Sequence, residues 1–237
     1  KASAWYRRAA LLGLPDVDVA LAEMERSATR GVRGFAIPAH VSPDRPYNHP
    51  DYDRFWAAAQ EFDVPLTMHI FTGETFDGGM PKHWGTPGGT IKGYTMAHTT
   101  AVNTMIDLIC GGVVERYPGL KFIISEFELG WLGHTLQRMD HAYYRTPKYA
   151  VDYLTMKPSE YFRRQCWISF DVDESMLDFT ARSPVVGADR IIWASDFPHP
   201  DAKYPGTTAE LAKNIAGLPP EQQRAIAGGN AAALYGL

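Results

Sequence analysis

Four short apolar runs of this chain each end on a residue that can bind a metal or move a proton. The runs span 64–69, 120–126, 166–171 and 190–196, and they end on His69, Glu126, Asp171 and Asp196. Each run has the length and the β-branched and aromatic content of a buried strand. Imidazole and carboxylate groups are costly to bury without partners. Their repeated placement at strand ends therefore predicts that these ends meet at one site, which would bind a metal or carry out acid–base chemistry.

Three of these residues have a structural interpretation beside the chemical one. His69 is either a core histidine bonded to backbone or a metal ligand. Asp196, in the stretch Trp-Ala-Ser-Asp-Phe-Pro-His, either caps the following turn or holds a metal and takes a proton. Glu126 either forms an ion pair with Arg138 or Arg163, or acts as an acid–base group. The sequence leaves each pair of alternatives open.

Other polar residues lie close to the same strand ends. His199 follows Asp196 by three residues, and it either lines a pocket or caps its loop. Asp171 and Asp173 follow a strand, so they bind substrate or cap the next helix. His40 ends another apolar run and either faces the same site or lies in a surface loop. His199 and Asp171 are accordingly candidate substrate-binding residues.

The elements that must position these residues alternate between strand and helix. We predict strands at about 9–14, 32–38, 64–69, 120–126, 166–171 and 190–196, and helices at 16–30, 51–62, 99–116, 131–139, 174–181, 207–216 and 220–228. Two stretches, 71–98 and 143–164, lack periodicity, and the first has the length of an ordered active-site loop or lid. Such alternation predicts a parallel α/β sheet.

A (β/α)8 TIM barrel explains the strand-end residues best, because the active site of that fold lies at the carboxyl ends of its strands. An open doubly wound sheet also holds six strands, but no glycine-rich phosphate loop follows the first one. A barrel needs eight strands, so one or two strand–helix units would lie before Lys1. We expect one domain over 1–237, incomplete at its N-terminus, with insertions near 71–98 and 143–164.

Composition narrows the function classes. The chain has 237 residues, is 45% hydrophobic and carries a net charge of −4, which gives no electrostatic reason to expect nucleic acid or an anionic membrane as a partner. No apolar run has the length of a membrane span, and the N-terminus lacks the apolar region of a signal peptide. Cys110 and Cys166 lie in apolar segments, which predicts core thiols and a reducing, cytoplasmic location.

Several longer stretches resemble a known family. They are the segment 55–69 that ends on His69, Gly-Val-Val-Glu-Arg-Tyr-Pro-Gly-Leu-Lys-Phe at 112–122, Glu-Phe-Glu-Leu-Gly-Trp at 126–131 with Arg-Met-Asp at 138–140, Lys-Pro-Ser-Glu-Tyr at 157–161, Ala-Ser-Asp-Phe-Pro-His at 194–199, and Asn-Ala-Ala-Ala-Leu-Tyr at 230–235. In order and spacing they resemble the amidohydrolase-related proteins of the aminocarboxymuconate-semialdehyde decarboxylase and γ-resorcylate decarboxylase type. The resemblance spans nearly the whole chain.

This resemblance implies a (β/α)8 barrel with one divalent metal, usually zinc or manganese, at the carboxyl ends of the strands. It implies that His69 is the mid-barrel ligand and that Asp196, on the last strand, binds metal and handles a proton. Trp131 and the 157–161 segment are family packing and insertion features, and we include Trp131 among the candidate substrate-binding residues.

The chain departs from the family pattern in two respects. The family's other metal ligands form a His-x-His or Glu-x-His on the first strand, whereas no two histidines here are two positions apart. Decarboxylase relatives also carry a catalytic histidine where this chain has Glu126. A carboxylate cannot give a substrate carboxylate the cationic partner that an imidazolium gives, so this departure favours hydrolysis over decarboxylation.

The leading prediction is a metal-dependent hydrolase of a small organic acid, lactone or amide, with Asp196 and Glu126 as catalytic groups. One alternative is a non-oxidative decarboxylase. Another is a non-catalytic barrel that lost its metal site; an upstream strand ending in His-x-His or Glu-x-His would favour the enzyme. A Schiff-base lyase is disfavoured, because no lysine ends a predicted strand. By analogy with related barrels, a homodimer that uses the 143–164 insertion is an alternative to a monomer.

Overall fold

The computed structural model describes residues 9–73, 85–171, 174–200 and 202–237. Its six strands form one sheet in which every neighbouring pair is parallel and the spatial order equals the chain order. The strands are β1 Ala9–Leu11, β2 Gly34–His40, β3 Pro65–Gly73, β4 Lys121–Ser125, β5 Cys166–Phe170 and β6 Ile191–Trp193. Unbroken sequential order of parallel strands is the strand arrangement of a (β/α)8 barrel, as predicted.

One or more helices follow each strand, and the last three of them lie after β6. They are α1 Val17–Ala28, α2 Asp53–Phe62, α3 Gly89–Met96, α4 His98–Met105, α5 Val113–Arg116, α6 Leu132–Arg145, α7 Pro158–Gln165, α8 Leu177–Ala181, α9 Thr207–Ile215, α10 Pro220–Arg224 and α11 Asn230–Tyr235. In the part of the chain that the structure describes, no helix is long and apolar enough to cross a membrane.

The two faces of the sheet have different neighbours. Leu66, Phe122, Ile124, Ile168 and Ile191 belong to the main core, which the helices between successive strands also enter. On the opposite face, Ile123 and Ile192 pack with Leu234, and Trp167 and Tyr235 pack against them, so α11 contributes to the core of this second face. Side chains alternate along a strand, so His69, Ser125 and Ser169 share the second face with Ile123 and Trp167.

Helix α11 is fixed to the sheet by its first residue. The Asn230 side-chain amide donates to the carbonyls of Ala188 and Ile191, at 2.8 and 2.7 Å. The aromatic ring of Tyr235 lies so close to Gly34 that a Cβ at that position would be 3.2 Å from Cε1 of the tyrosine. The C-terminal helix thus covers the amino-terminal half of this second face, which is the inner face of the predicted barrel. The carboxyl ends of the strands stay open for chemistry.

Three of the predicted elements are wrong in part. The stretch 143–164 contains the end of α6 and most of α7, because Pro158 occupies the first turn of α7 and the Glu160 carboxylate accepts the Lys157 N–H at 3.2 Å. The stretch 71–98 contains α3, which begins after Gly88 at φ 76°; residues 74–84 lie outside the described ranges. The predicted helix 99–116 is divided by a π-helical segment, Ile106–Cys110, and by Gly112 at φ 77°.

The two cysteines are free thiols, as predicted. Burial raises the pKa of Cys110 to about 11 and that of Cys166 to about 12. A thiol with so high a pKa is a poor nucleophile and a poor metal ligand at neutral pH. The cysteines therefore belong to the packing of the domain.

Gly73, the last residue of β3, is required by the close approach of β2. Its φ is 102°, and a Cβ there would lie 2.0 Å from the His40 carbonyl oxygen. We expect Gly73→Ala to lower the free energy of unfolding by about 2 kcal/mol or more, because backbone strain and a backbone clash act together. Gly13→Ala is the matched control, because no atom lies within 4 Å of its Cβ position. Urea unfolding midpoints measure both, and equal midpoints would contradict the packing described.

Candidate active site

The carboxyl end of β3 orients the imidazole of His69. The ring nitrogen Nδ1 lies 2.9 Å from the Ile70 carbonyl oxygen and donates to it, which leaves Nε2 to face the site. The Thr72 hydroxyl donates to the His69 carbonyl at 2.6 Å and accepts the Ala39 N–H at 2.9 Å, so the backbone of His69 is tied to β2. His69 is thus held in one orientation, with Nδ1–H as the donor to backbone, as a metal-ligating or acid–base histidine usually is.

Glu126 meets this imidazole from the neighbouring strand. His69 pairs with Ser125 across β3 and β4, and Glu126 follows Ser125 directly. Glu126 Oε1 lies 3.1 Å from His69 Nε2, and its side chain is 16% exposed. Neither Arg138 nor Arg163, the two alternative ion-pair partners of Glu126, takes part in this contact. The strand-end pattern predicts that His69 and Glu126 share one site, and in the structure they form an ion pair.

Asp196 joins the pair from the end of β6, which lies two strands from β4 in the sheet. It lies three residues beyond β6, and its carboxyl group is hydrogen-bonded to that of Glu126. Its second contact is with His199, whose Nδ1 lies 2.9 Å from Asp196 Oδ2. The Asp196 side chain is 17% exposed and that of His199 is 51% exposed. Four predicted residues therefore form one chain of contacts, His69–Glu126–Asp196–His199, which runs outward to solvent.

The ionisable groups in this chain of contacts shift one another's pKa values. The hydrogen bond that His69 donates to Glu126, with smaller contributions from Ile70 and Asp196, raises the pKa of His69 to about 9. The hydrogen bond from His69 holds the pKa of Glu126 below its ordinary value. Burial, with the adjacent Glu126 carboxylate, raises the pKa of Asp196 to about 6. In this arrangement Glu126 carries the negative charge and Asp196 is the carboxyl group that more readily holds a proton.

The backbone is strained at both residues that carry the carboxylates. Glu126 has φ 64° and Asp196 has φ 50°, which is the left-handed region that side chains other than glycine seldom adopt. Glu128, two residues after Glu126, also has a positive φ, and Leu129 between that residue and α6 donates its N–H to Glu174 at 2.9 Å. Non-glycine residues with positive φ cluster at functional sites, where neighbouring contacts maintain the strain.

Two serines that the sequence analysis missed maintain the strained backbone of Glu126. The Ser169 hydroxyl, on a residue that is 2% exposed, accepts the Glu126 N–H at 3.1 Å and donates to the Ser125 hydroxyl at 3.3 Å. Both serines lie on the inner face beside His69. The signal was available in the sequence, since each is a polar residue at an inward position of an otherwise apolar strand.

The remaining candidates lie elsewhere at this end of the sheet. Asp171 directly follows β5 and is exposed; Asp173 lies outside the described residues. The Trp131 indole N–H donates to the Phe127 carbonyl at 2.6 Å, and its ring lies 5.9 Å from that of His98. Trp131 is thus engaged with its own loop and with the start of α4. Substrate binding by Asp171, Trp131 and His199 stays a prediction.

Comparison with known proteins identifies the family of this chain. The model of the amidohydrolase family, Amidohydro_2, matches residues 2–237. The chain belongs to this amidohydrolase family. One curated relative in the family is γ-resorcylate decarboxylase of Rhodococcus jostii, which is 27% identical over 214 residues. That alignment covers 81% of this chain and 60% of the relative, so the chain spans less than two thirds of the relative's length.

Solved amidohydrolase structures share the fold. The amidohydrolase map2389c of Mycobacterium avium subsp. paratuberculosis superposes with a TM-score of 0.78 at 24% identity, over 96% of this chain and 57% of that one. A dihydroxybenzoic acid decarboxylase of Polaromonas sp. JS666, solved with bound manganese and the inhibitor 2-nitroresorcinol, superposes with a TM-score of 0.71 at 22% identity. This alignment covers 95% of the present chain and 68% of that structure.

The His69–Glu126 pair predicts a pH dependence of stability. The pKa of His69 in the folded chain, about 9, lies above the ordinary value of 6.5, so its stabilising contribution is complete below pH 6.5 and is lost as the pH rises through 9. The raised pKa of Asp196, about 6, places its titration below this window. We therefore expect the free energy of unfolding, measured with urea and a metal chelator present, to fall between pH 6.5 and 9.

Glu126→Gln should remove most of that slope, because the amide carries no charge to pair with the imidazolium. Glu128→Gln is the matched control: this exposed carboxylate lies in the same loop and is not a partner of His69 in that ion pair. A slope that persists in Glu126→Gln would show that another group titrates in the window.

Ser169→Ala should release the Glu126 amide. The variant loses the hydroxyl that accepts the Glu126 N–H, so we expect hydrogen exchange at this amide to accelerate at least about tenfold relative to core amides, with a loss of about 1–3 kcal/mol of stability. Ser159→Ala is the control, because that hydroxyl is equally buried and bonds to Asp140 at 2.7 Å. Unchanged exchange at Glu126 in Ser169→Ala would contradict the assigned contact.

Proposed function

We propose that this chain carries the catalytic face of a metal-dependent, non-oxidative decarboxylase of small hydroxylated aromatic acids. The observation that carries the proposal is the contact chain His69–Glu126–Asp196–His199 at the carboxyl ends of the strands. It supplies two imidazoles and two carboxyl groups at the face where barrels of this type act. The named relatives support decarboxylation: one acts on γ-resorcylate, and another is a dihydroxybenzoic acid decarboxylase.

The donor types fit a divalent cation. His69 Nε2 faces the site and pairs with Glu126 Oε1 in this structure, so a cation bound at Nε2 would replace the proton of that pair. Asp196 supplies a carboxylate, and nitrogen and oxygen donors of this kind suit zinc or manganese. Within the described ranges, no group of three or more His, Cys, Asp or Glu residues is arranged to hold a metal. We propose that His69 and Asp196 are two of the ligands. A bound cation would supply positive charge to the substrate's carboxylate and adjacent hydroxyl.

The residues of this chain account for the proton that decarboxylation requires. The Asp196 carboxyl proton passes to the ring carbon that bears the carboxylate; the bond between that carbon and the carboxylate then breaks, carbon dioxide leaves and the electron pair restores the aromatic ring. Asp196 regains a proton from solvent on its His199 side, which is half exposed. Glu126 holds the hydrogen bond to Asp196 and orients it.

Hydrolysis, favoured by the sequence analysis, is the second candidate. The observation in its favour is Glu126 itself, since decarboxylases of the resembled type carry a histidine there and a carboxylate can accept a proton from an attacking water. Decarboxylation has the better support because two of the three similar proteins named above are decarboxylases. The non-catalytic alternative has the least support. Four converging ionisable groups and strained backbone are typical of functional sites.

The test follows the carbon atom that decarboxylation releases. The full chain is incubated with 2,6-dihydroxybenzoate labelled with 13C in the carboxyl group, with Mn2+ or Zn2+, in D2O. We expect labelled CO2 and bicarbonate together with resorcinol that carries deuterium at the vacated ring carbon. Asp196→Asn should reduce the rate by about 100-fold or more, because it removes the proton donor.

Asp189→Asn is the matched control, since this exposed aspartate pairs with Arg163 away from the site and should leave the rate unchanged. A parallel assay uses aryl lactones and amides. Hydrolysis of these substrates without release of 13C from the acid would replace the proposal by the second candidate.

A further inference from the structure

A cavity opens at the same end of the sheet as the candidate active site, beside β1 and β2. It has a volume of about 230 Å³, and residues from three consecutive strand–helix connections line it: Pro15 follows β1, His40 ends β2, Ser42 and Arg45 lie in the next loop, and Gly73 ends β3. Pro38, also in its wall, pairs with His69 across β2 and β3. The cavity therefore adjoins the strand that carries His69 and shares no residue with the four-residue contact chain.

Buried aromatic residues keep the walls of this cavity in place. Tyr47 is fully buried, donates its hydroxyl to the Pro38 carbonyl at 2.5 Å, and accepts the Trp56 indole N–H on its own carbonyl at 3.1 Å. The rings of Tyr47 and Tyr52 lie 5.5 Å apart. On the other side, the absent Cβ of Gly73 permits β3 to touch His40 at a bulge in the β2–β3 pairing. The cavity is thus preformed, and β-bulges are common beside functional sites.

The charge that the wall presents is positive. The Arg45 guanidinium donates to the Pro15 carbonyl and lies 5.2 Å above the ring of Tyr52, so it is held against the wall at two points. Its acidic neighbour, Asp51, is 3.9 Å away and is 54% exposed, so water screens this pair. A guanidinium has five N–H donors, and a fixed, incompletely neutralised one is suited to a carboxylate.

We propose that this cavity binds the carboxylate of a small organic acid, with Arg45 as its cationic partner, the Ser42 hydroxyl as a second donor, and Pro15, Pro38 and Tyr52 around the apolar part of the ligand. The volume suits a ligand of this size, because a water molecule takes about 30 Å³ of liquid volume and benzoate takes the space of a few waters. The proposal goes beyond the decarboxylase proposal and does not depend on it, since no residue of the cavity belongs to that site.

The test uses benzoate as the probe and benzamide, its neutral isostere, as the matched ligand. Both are titrated into the metal-free, 15N-labelled full chain. We expect saturable benzoate-induced shifts at the amides of Ser42, Arg45 and Gly73, and at least about tenfold weaker binding of benzamide. Arg45→Met should weaken benzoate binding at least tenfold, whereas Arg45→Lys should retain part of it and Ser42→Ala should weaken it less.

Arg54→Met is the control variant, because Arg54 is exposed on α2 and pairs with Asp18. It should leave benzoate binding unchanged. Equal binding of benzoate and benzamide, or equal benzoate binding by Arg45→Met and the native chain, would overturn the proposal. If Arg45→Met does not fold, Ser42→Ala and the benzamide comparison still decide the question.

The acid that occupies the cavity could be the substrate itself or a separate molecule, and competition distinguishes them. If 2,6-dihydroxybenzoate displaces benzoate from Arg45, the cavity belongs to the substrate path. If the two bind together, the cavity takes a different acid. Loss of decarboxylase activity without any change in benzoate binding would leave this inference intact, because the readout is the NMR signal of the cavity.

Discussion

The carboxylate of Glu126 is the contact on which the arrangement of this site depends. It accepts a hydrogen bond from His69 on one side and from the Asp196 carboxyl on the other, and thereby links groups from three strands. Two carboxyl groups in contact cannot both be ionised at low cost. Because His69 stabilises the charge on Glu126, Asp196 is the carboxyl group that takes the proton, and the site thus contains one acid and one base side by side.

The parallel sheet makes this contact possible, and the local backbone completes it. The β3–β4 register places His69 beside Ser125, so the next residue along β4 reaches the imidazole only if the chain turns sharply there. Glu126 makes that turn at φ 64°, at a cost on the order of 1–3 kcal/mol for a residue other than glycine. The buried Ser169 hydroxyl accepts the freed N–H and thus offsets part of the cost. The positive φ of Glu126, its hydrogen bond to Ser169 and its ion pair with His69 thus depend on one another.

The sequence predicted the strands and the residues at their ends, because periodicity and apolar runs report burial directly. His69, Glu126 and Asp196 were found in this way. The sequence did not predict the direct contacts among these residues. Those contacts depend on strand register and on positive φ at Glu126 and Asp196, and neither feature has a sequence pattern that predicts it. The helix α7 was missed for a related reason: its eight residues are too few to show periodicity. The Arg45 cavity was missed because its walls come from three separate loops.

The most direct test of this account is the protonation state of His69 in the metal-free chain. Two-dimensional 15N–1H NMR of the imidazole, recorded at pH 7.5, separates the charged ring from its neutral tautomers. The account predicts that both ring nitrogens carry protons, with Nε2–H donating to Glu126 and Nδ1–H to the Ile70 carbonyl. A neutral His69 at that pH, with a lone pair on either nitrogen, would contradict the ion pair on which the rest of the site depends.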